Sequence, residues 1–328
     1  MELWTEKYRP KTLDEIRYHK DIVSTLKNLI KKKEIPHLIF TGAAGIGKTS
    51  IAWSLIHDFF IINYPNYKYL EYECVFERNA SDEFKMSEGD IDALKDFIFQ
   101  HNIRSNIPYK FVILDESDHL SHEIQNSLRR IIEQSKNVTF IFINNYIENL
   151  ISPLISRCIM FKFMPLPLSE CKSIIYTIIK NEFTEFTEIY NNINFDTLYI
   201  YTRGDIRKLI NIIQIITKKN TDFNLYTYLG IMSDTSFSTF LSLCKNYQLQ
   251  EFLNFTQFHF YLPNVLIQIL TWVLTNSNSD LKLTEENKKK IILLLEEYDK
   301  YLIQNTYTDL QIQSFFLSIA SIIGGQKI

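Results

Sequence analysis

His37-Leu38-Ile39-Phe40-Thr41 runs directly into Gly42-Ala43-Ala44-Gly45-Ile46-Gly47-Lys48-Thr49, and a helix-periodic apolar stretch follows over 47–62. A β-rich run, a GxxxxGK[ST] loop and a helix, in that order, form the context in which such a loop cradles phosphate. Glycine lets backbone N–H groups wrap an anion, and the start of the helix adds positive potential. In such a loop Lys48 reaches the β- and γ-phosphates of a nucleoside triphosphate and Thr49 ligates Mg2+. The expected nucleotide-binding stretch is Gly42, Ala43, Ala44, Gly45, Ile46, Gly47, Lys48, Thr49 and Ser50. The 328 residues include only eight glycines and six alanines, yet three of the former and two of the latter fall within 42–47. A chain that otherwise avoids small residues has gathered them where its backbone must come close to something.

On either side of that stretch the first half alternates short β-rich runs with helical patterns. Strands are expected at 37–41, 69–76, 111–114, 138–143 and 158–163, and helices near 20–33, 47–62, 89–103, 120–134 and 147–155. Alternation of this kind implies an α/β domain with a parallel five-stranded sheet. Continuous apolar runs such as Phe111-Val112-Ile113-Leu114 suit strands buried on both faces. Pro165 and Pro167 break the pattern. From Ser169 onward only helical periodicity is evident: 169–182, 194–201 and 205–219, then four or five helices from 234 to the end. Gly230 and the polar Thr235-Ser236 region mark a softer boundary. The expected domains are 1–164 (α/β), 165–230 (small and helical) and 231–328 (helical), with no internal repeat.

Leu114-Asp115-Glu116 closes the third expected strand. Acidic residues at the carboxyl end of a parallel strand lie beside the phosphate loop, where ligands bind in such sheets. Neighbouring strand residues point to opposite faces, so the two carboxylates need different tasks. Asp115 is expected to hold Mg2+, directly or through water, and Glu116 to polarise an attacking water. Without the loop such a pair reads as a solvated turn. No NKxD-type guanine reader is present, which favours ATP over GTP.

The composition is 46% hydrophobic and 22% charged with a formal net charge of −3, as for a soluble globular chain with a sizeable core. It excludes a disordered tail and binding to nucleic acid through bulk charge alone. Cys74, Cys158, Cys171 and Cys244 form no CxxC pair, so neither a zinc ribbon nor a disulfide framework is expected. Seven scattered histidines give no metal constellation. Met1–Lys7 lacks the apolar core of a secretory signal. Phe258–Leu274 is too interrupted, by His259, Pro263, Asn264 and Gln268, for a membrane span. An intracellular, reducing setting without a membrane is expected. Ile, Asn, Lys, Tyr and Phe abound, and their AT-rich codons suggest a biased genome such as that of a virus or parasite. Lys31–Lys33 and Lys288–Lys290 read as solvated faces.

Eight motifs, the phosphate loop and the acidic strand end among them, occur in one order: Trp4-Thr5-Glu6-Lys7-Tyr8-Arg9-Pro10, Pro36-His37-Leu38 with the phosphate loop, Asn79-Ala80-Ser81-Asp82-Glu83, Leu114-Asp115-Glu116-Ser117-Asp118, Gln125-Asn126-Ser127-Leu128-Arg129-Arg130, Asn145-Tyr146, Ser156-Arg157-Cys158 and Gly204-Asp205-Ile206-Arg207-Lys208. Together they resemble the small subunits of replication factor C, the AAA+ sliding-clamp loader, over residues 4 to about 208. The remainder matches only in length and helical character. The resemblance implies an AAA+ P-loop domain, a small helical lid and an all-helical collar that holds a ring together. It implies that Asn145 is the sensor-1 residue reading the γ-phosphate and that Arg207 is the sensor-2 arginine of the lid. Arg157 would be the arginine finger given to ATP on a neighbouring subunit, neutralising charge on the transferred phosphoryl group. Taken singly, Arg157 reads as a surface charge or a helix C-terminal cation, and Tyr8 as packing. Tyr8 and Arg9 match positions near the adenine. Lys95, Arg129 and Arg130 are the candidates for DNA contact.

Two departures from the family stand out. Phe84 to Asp90 replace a shorter link, and the phosphate loop carries Ala43-Ala44 and Ile46 where Pro-Pro and Thr are commoner. The implied cofactors are ATP and Mg2+. The implied partners are other loader subunits in a hetero-pentameric ring, a sliding clamp and primer–template DNA, in the nucleus or, for a viral protein, the host-cell replication compartment. Two other readings remain: a non-catalytic structural subunit that supplies Arg157, and another AAA+ DNA machine such as a branch-migration helicase. The full set Lys48, Thr49, Asp115, Glu116, Asn145 and Arg207 favours catalysis. Ser156-Arg157-Cys158 and Asn79–Glu83 favour the loader.

Overall fold

Five short strands build one parallel sheet: β1 (Leu38–Thr41), β2 (Val75–Asn79), β3 (Lys110–Asp115), β4 (Val138–Asn144) and β5 (Ile159–Lys162), in the order β2-β3-β4-β1-β5. The structure, a computed structural model, describes residues 2–65, 73–80, 87–99, 109–184, 186–191, 193–218, 226, 229–230, 232–248, 250–251, 261–275, 283–303 and 309–324. Residues 69–72 of the expected second strand, Ser81–Met86 and the last part of the expected helix 89–103 lie outside them.

β1 and β4 are buried along their whole length and β3 along all but its last residue, which is why apolar runs such as Leu38–Phe40, Phe111–Leu114 and Phe140–Ile143 dominate them. The period of two splits β3 between two layers. Phe111 meets the rings of Phe59 and Phe60 from the helix Lys48–Asn63. Val112 and Leu114 join Phe140 and Phe142 against Leu94, Leu128 and Ile131, from the helices Glu88–Phe99 and His122–Gln134. Each fully buried phenylalanine contributes about 1.5–3 kcal/mol. The carboxyl ends of β1, β3 and β4 lie side by side, with Thr41 in register with Asn144. That edge, where the strand order doubles back, is the ligand-binding edge of such sheets.

Three expectations need correction. β2 spans Val75–Asn79 rather than 69–76. It is an edge strand with one neighbour, and its exposed Glu77 and Arg78 interrupt any apolar run. The single helix expected over 147–155 is a 3-10 turn, Ile147–Asn149, followed by a short helix, Ser152–Ile155. Leu150 and Ile151 between them are extended, and Pro153 lacks the N–H that a continuous helix would use there. Two short helices, Trp4–Lys7 and Phe186–Asn191, were not legible as periodic patterns. The expected helices 20–33, 47–62, 120–134, 169–182, 194–201 and 205–219 agree with the described ones to within about two residues, the usual uncertainty of a frayed end.

The chain divides into two compact units, Met1–Thr217 and Lys218–Ile328. The first holds the sheet and the helices Leu168–Glu182, Phe186–Asn191 and Phe195–Thr202, with nearly all of Ile206–Lys218. The described part of the second has helices Asp234–Asn246, Leu262–Thr275, Glu285–Ile303 and Asp309–Gly324, closed over Phe240, Cys244, Ile269, Ile291, Phe315 and Phe316. Cys74, Cys158, Cys171 and Cys244 form no disulfide. No described helix is long and apolar enough to cross a membrane.

Candidate active site

The loop after β1 turns on three glycines with positive φ, Gly42 (147°), Gly45 (70°) and Gly47 (93°), and the next helix opens at Lys48. The tightest is Gly45, where a Cβ atom would lie 1.8 Å from Asp205 Oδ1. Ile46 is buried, so it offers a ligand only its backbone. Lys48 folds over the loop: its ammonium donates to Gly42 O at 2.6 Å, Ala43 O at 2.7 Å and Asn145 Oδ1 at 2.9 Å. Burial pushes the Lys48 amine down from 10.5 to about 8, opposed by the carboxylates of Asp115 and Asp118.

Thr49, one residue into the helix, donates through its hydroxyl to Asp115 Oδ2 at 2.8 Å. Asp115 Oδ1 accepts the Glu116 N–H at 2.9 Å. Glu116 leaves the strand in the left-handed region, φ 51°, which separates the two acidic side chains. Lys48, Thr49, Asp115, Glu116, Asn145 and Arg207 line one cavity of about 80 Å³. A neighbouring cleft of about 710 Å³ is lined by Tyr8, Arg9, Tyr18, Ile174, Ile178 and Arg207 among others. Gly45, Gly47, Ser50 and Arg207 line both. A small polar chamber opening beside a larger, partly apolar one matches the two ends of a nucleotide, and the larger lies within the usual size of ligand sites.

The N-terminal segment is fastened over the large cleft. Tyr8 donates through its hydroxyl to Glu182 Oε1 at 2.7 Å, and Lys7 Nζ meets the same oxygen at 2.6 Å. Burial and Glu182 raise the Tyr8 phenol. Trp4 is buried, lies edge-on to Phe183 and donates its backbone N–H to Gln214 Oε1 at 3.1 Å. Glu182 and Gln214 belong to the helices Leu168–Glu182 and Ile206–Lys218, 174 residues or more away in sequence, which no local pattern announces.

Arg157 stands elsewhere. It is exposed, donates to Pro153 O at 2.6 Å and pairs with Glu133, and it lines neither cavity. Arg207 has no hydrogen-bond or ion-pair partner among the described residues. Lys95 is exposed and paired with Asp92 at 2.8 Å. Arg129 is half-buried with a buried, unpartnered Nε, and Arg130 is exposed. Neither these two nor Lys95 reaches the phosphate chamber, and Ser81–Met86 lie outside the described residues. Glu182 and Tyr18 border the site although no motif held them, and Asp205, part of the Gly204–Lys208 motif, meets the phosphate loop although no role was expected of it. Only Asp205, just before a helix, carried a local signal, that of an N-cap.

No group of three or more His, Cys, Asp or Glu among the described residues is arranged to hold a metal ion. Mg2+ needs no such cage, since it is held through one or two protein oxygens, substrate phosphates and water. The adjoining Thr49 hydroxyl and Asp115 carboxylate are hard oxygen donors of that kind and fit it.

A parallel sheet ordered β2-β3-β4-β1-β5, with a GxxxxGK[ST] loop and an acidic strand end at one edge and helices following, is the AAA+ form of the P-loop fold. Two variants of RuvB from Thermotoga maritima share it, with TM-scores of 0.50 and 0.52 at 17% and 16% identity, over 74% of this chain and 80% and 81% of theirs. The family described as "DNA polymerase III, delta subunit" matches residues 18–167. The replication factor C small subunit of Saccharolobus solfataricus is 32% identical over 339 residues, spanning 97% of this chain and 94% of the relative. That of Staphylothermus marinus is 33% identical over 337 residues, spanning 99% and 96%. The chain belongs to the replication factor C small-subunit family.

Proposed function

We propose that this chain binds ATP with Mg2+ at the phosphate chamber and hydrolyses it as one subunit of a sliding-clamp loader. The observation that carries this reading is a division of labour. Lys48, Thr49, Asp115, Glu116, Asn145 and Arg207 converge on one chamber, while Arg157 is exposed and lies outside it. A site complete except for one cation, on a chain that exposes that cation elsewhere, suits pairing between neighbouring subunits.

On binding, the Lys48 ammonium exchanges the carbonyls of Gly42 and Ala43 for β- and γ-phosphate oxygens. Mg2+, held by Thr49 and Asp115, would neutralise phosphate charge. Asn145, released from Lys48, turns its amide toward the γ-phosphate and the attacking water. Glu116 orients that water and accepts its proton, while the water oxygen forms the new bond to phosphorus and ADP leaves. Arg207 contacts the phosphates from the lid, and Arg157 of the next subunit neutralises charge on the transferred group. Tyr8 and Arg9 enclose the base end of the larger cleft.

The output is conformational. ATP draws the subunits, a hetero-pentameric ring, into a spiral that grips and opens the clamp; primer–template DNA triggers hydrolysis and release. In this reading residues 1–164 are the ATPase domain, 165–230 the lid and 231–328 the collar, and Lys95, Arg129 and Arg130 face DNA. The setting is intracellular. The test is ATP turnover by the reconstituted complex, with and without clamp and primer–template DNA. Stimulation by both together, abolished by Lys48→Ala, is expected. Turnover indifferent to clamp and DNA would overturn the loader reading.

A further inference from the structure

We propose that Asp205 is the positioning residue for Arg207, fixing the start of the lid helix to the phosphate loop. The inference rests on the reading of Arg207 as a nucleotide contact.

Asp205 sits at a corner between two helices and is fastened on every side. Its N–H donates to Thr202 O at 2.9 Å, closing the helix Phe195–Thr202. Its side-chain Oδ1 accepts the Lys208 N–H at 2.9 Å, and its carbonyl accepts the Leu209 N–H at 3.1 Å. This is an N-cap, which satisfies a donor that the first turn of a helix leaves without an acceptor. The first N–H of the same helix, that of Ile206, has no partner within its helix and donates to Gly45 O at 3.1 Å instead. The phosphate loop itself thus supplies an acceptor for the lid helix.

Two glycines allow the approach. A Cβ on Gly45 would meet the Asp205 carboxylate, and one on Gly204, φ 80°, would lie 2.8 Å from Leu166 O. The corner is therefore wedged between the loop and the segment that leads out of the sheet. Arg207 lies inside the short ring closed by Asp205 Oδ1 and the Lys208 N–H, so its Cα is set by the cap. From there it lines both cavities. The cap turns one oxygen of the Asp205 carboxylate into the first turn of the helix.

The test is equilibrium binding of a non-hydrolysable ATP analogue with Mg2+ to the full chain. Asp205→Ala and Arg207→Ala are each expected to weaken binding about five- to tenfold. If Asp205 acts through Arg207, the double variant binds no more weakly than Arg207→Ala alone. Asp205→Asn, which caps equally well, rescues binding to within about twofold. Asp205→Glu keeps the charge but sets it one methylene further out, and weakens binding as alanine does. Equal losses from Asp205→Ala in the wild-type and Arg207→Ala backgrounds would overturn the inference. So would Asn behaving as Ala, or Glu as Asp. If Arg207→Ala binds like wild type, or wild type binds no analogue, the reading of Arg207 itself falls and takes the inference with it.

Discussion

The Thr49 hydroxyl donates a 2.8 Å hydrogen bond to Asp115 Oδ2, tying the first turn of the helix after the phosphate loop to the end of β3. Two motifs 66 residues apart thus meet at one pair of oxygens. Asp115→Asn keeps the shape and removes the charge. It should weaken Mg2+-dependent nucleotide binding about 10- to 100-fold and leave binding in EDTA within about threefold. Titrations with and without Mg2+ check this; equal losses in both would mean that Asp115 serves the fold and not the metal.

Lys48 carries a pH signature. Its amine is pushed down to about 8 by burial in the nucleotide-free chain, and phosphate oxygens favour the charged form. Nucleotide binding should therefore take up a proton above pH 8. Affinity is expected to be flat below pH 7 and to fall up to about tenfold per pH unit above 8. Calorimetry in buffers of different ionisation enthalpy measures the uptake. Proton release, or affinity that rises with pH, would contradict the account. The same depression has a consequence for folding. Between pH 8 and 10.5 the unfolded chain holds more protons at this residue, so its contribution to stability grows as pH rises through that window.

Gln125 is 1% exposed and spends its whole amide on backbone. Nε2 donates to Leu120 O and Asn149 O, both at 2.9 Å, and Oε1 accepts the Ile151 N–H at 2.8 Å. It joins the turn after β3 to the segment after β4, the two strands whose ends carry Asp115 and Asn145. Gln125→Leu strands these groups and should cost about 2–4 kcal/mol in urea unfolding. A loss below about 0.5 kcal/mol would show that water replaces the side chain.

The parts of this fold visible in its sequence are those fixed by local rules. The phosphate loop, the buried runs of β1, β3 and β4, and the helices flanking them each satisfy a spacing or burial constraint within a dozen residues. β2 departs from the expected 69–76 because an edge strand needs no apolar run, and its Glu77 and Arg78 are exposed. The grouping of Lys48, Thr49 and Asp115 followed from strand ends sharing one edge of a parallel sheet, whereas Asn145 was reached only through the family resemblance. The bonds between the N-terminal segment, the phosphate loop and the helices after the sheet did not. Tyr8 with Glu182, Trp4 with Gln214 and Gly45 with Ile206 join segments more than 150 residues apart, and only the folded chain brings them together.

Arg157 tests the central claim most directly. It is exposed, rests on Glu133 and Pro153 O, and lies outside the chamber of its own chain. In the reconstituted complex with clamp and primer–template DNA, Arg157→Ala should cut stimulated ATP turnover about a thousandfold or more while ATP binding stays within about twofold. Turnover indistinguishable from wild type would contradict a cation donated between subunits.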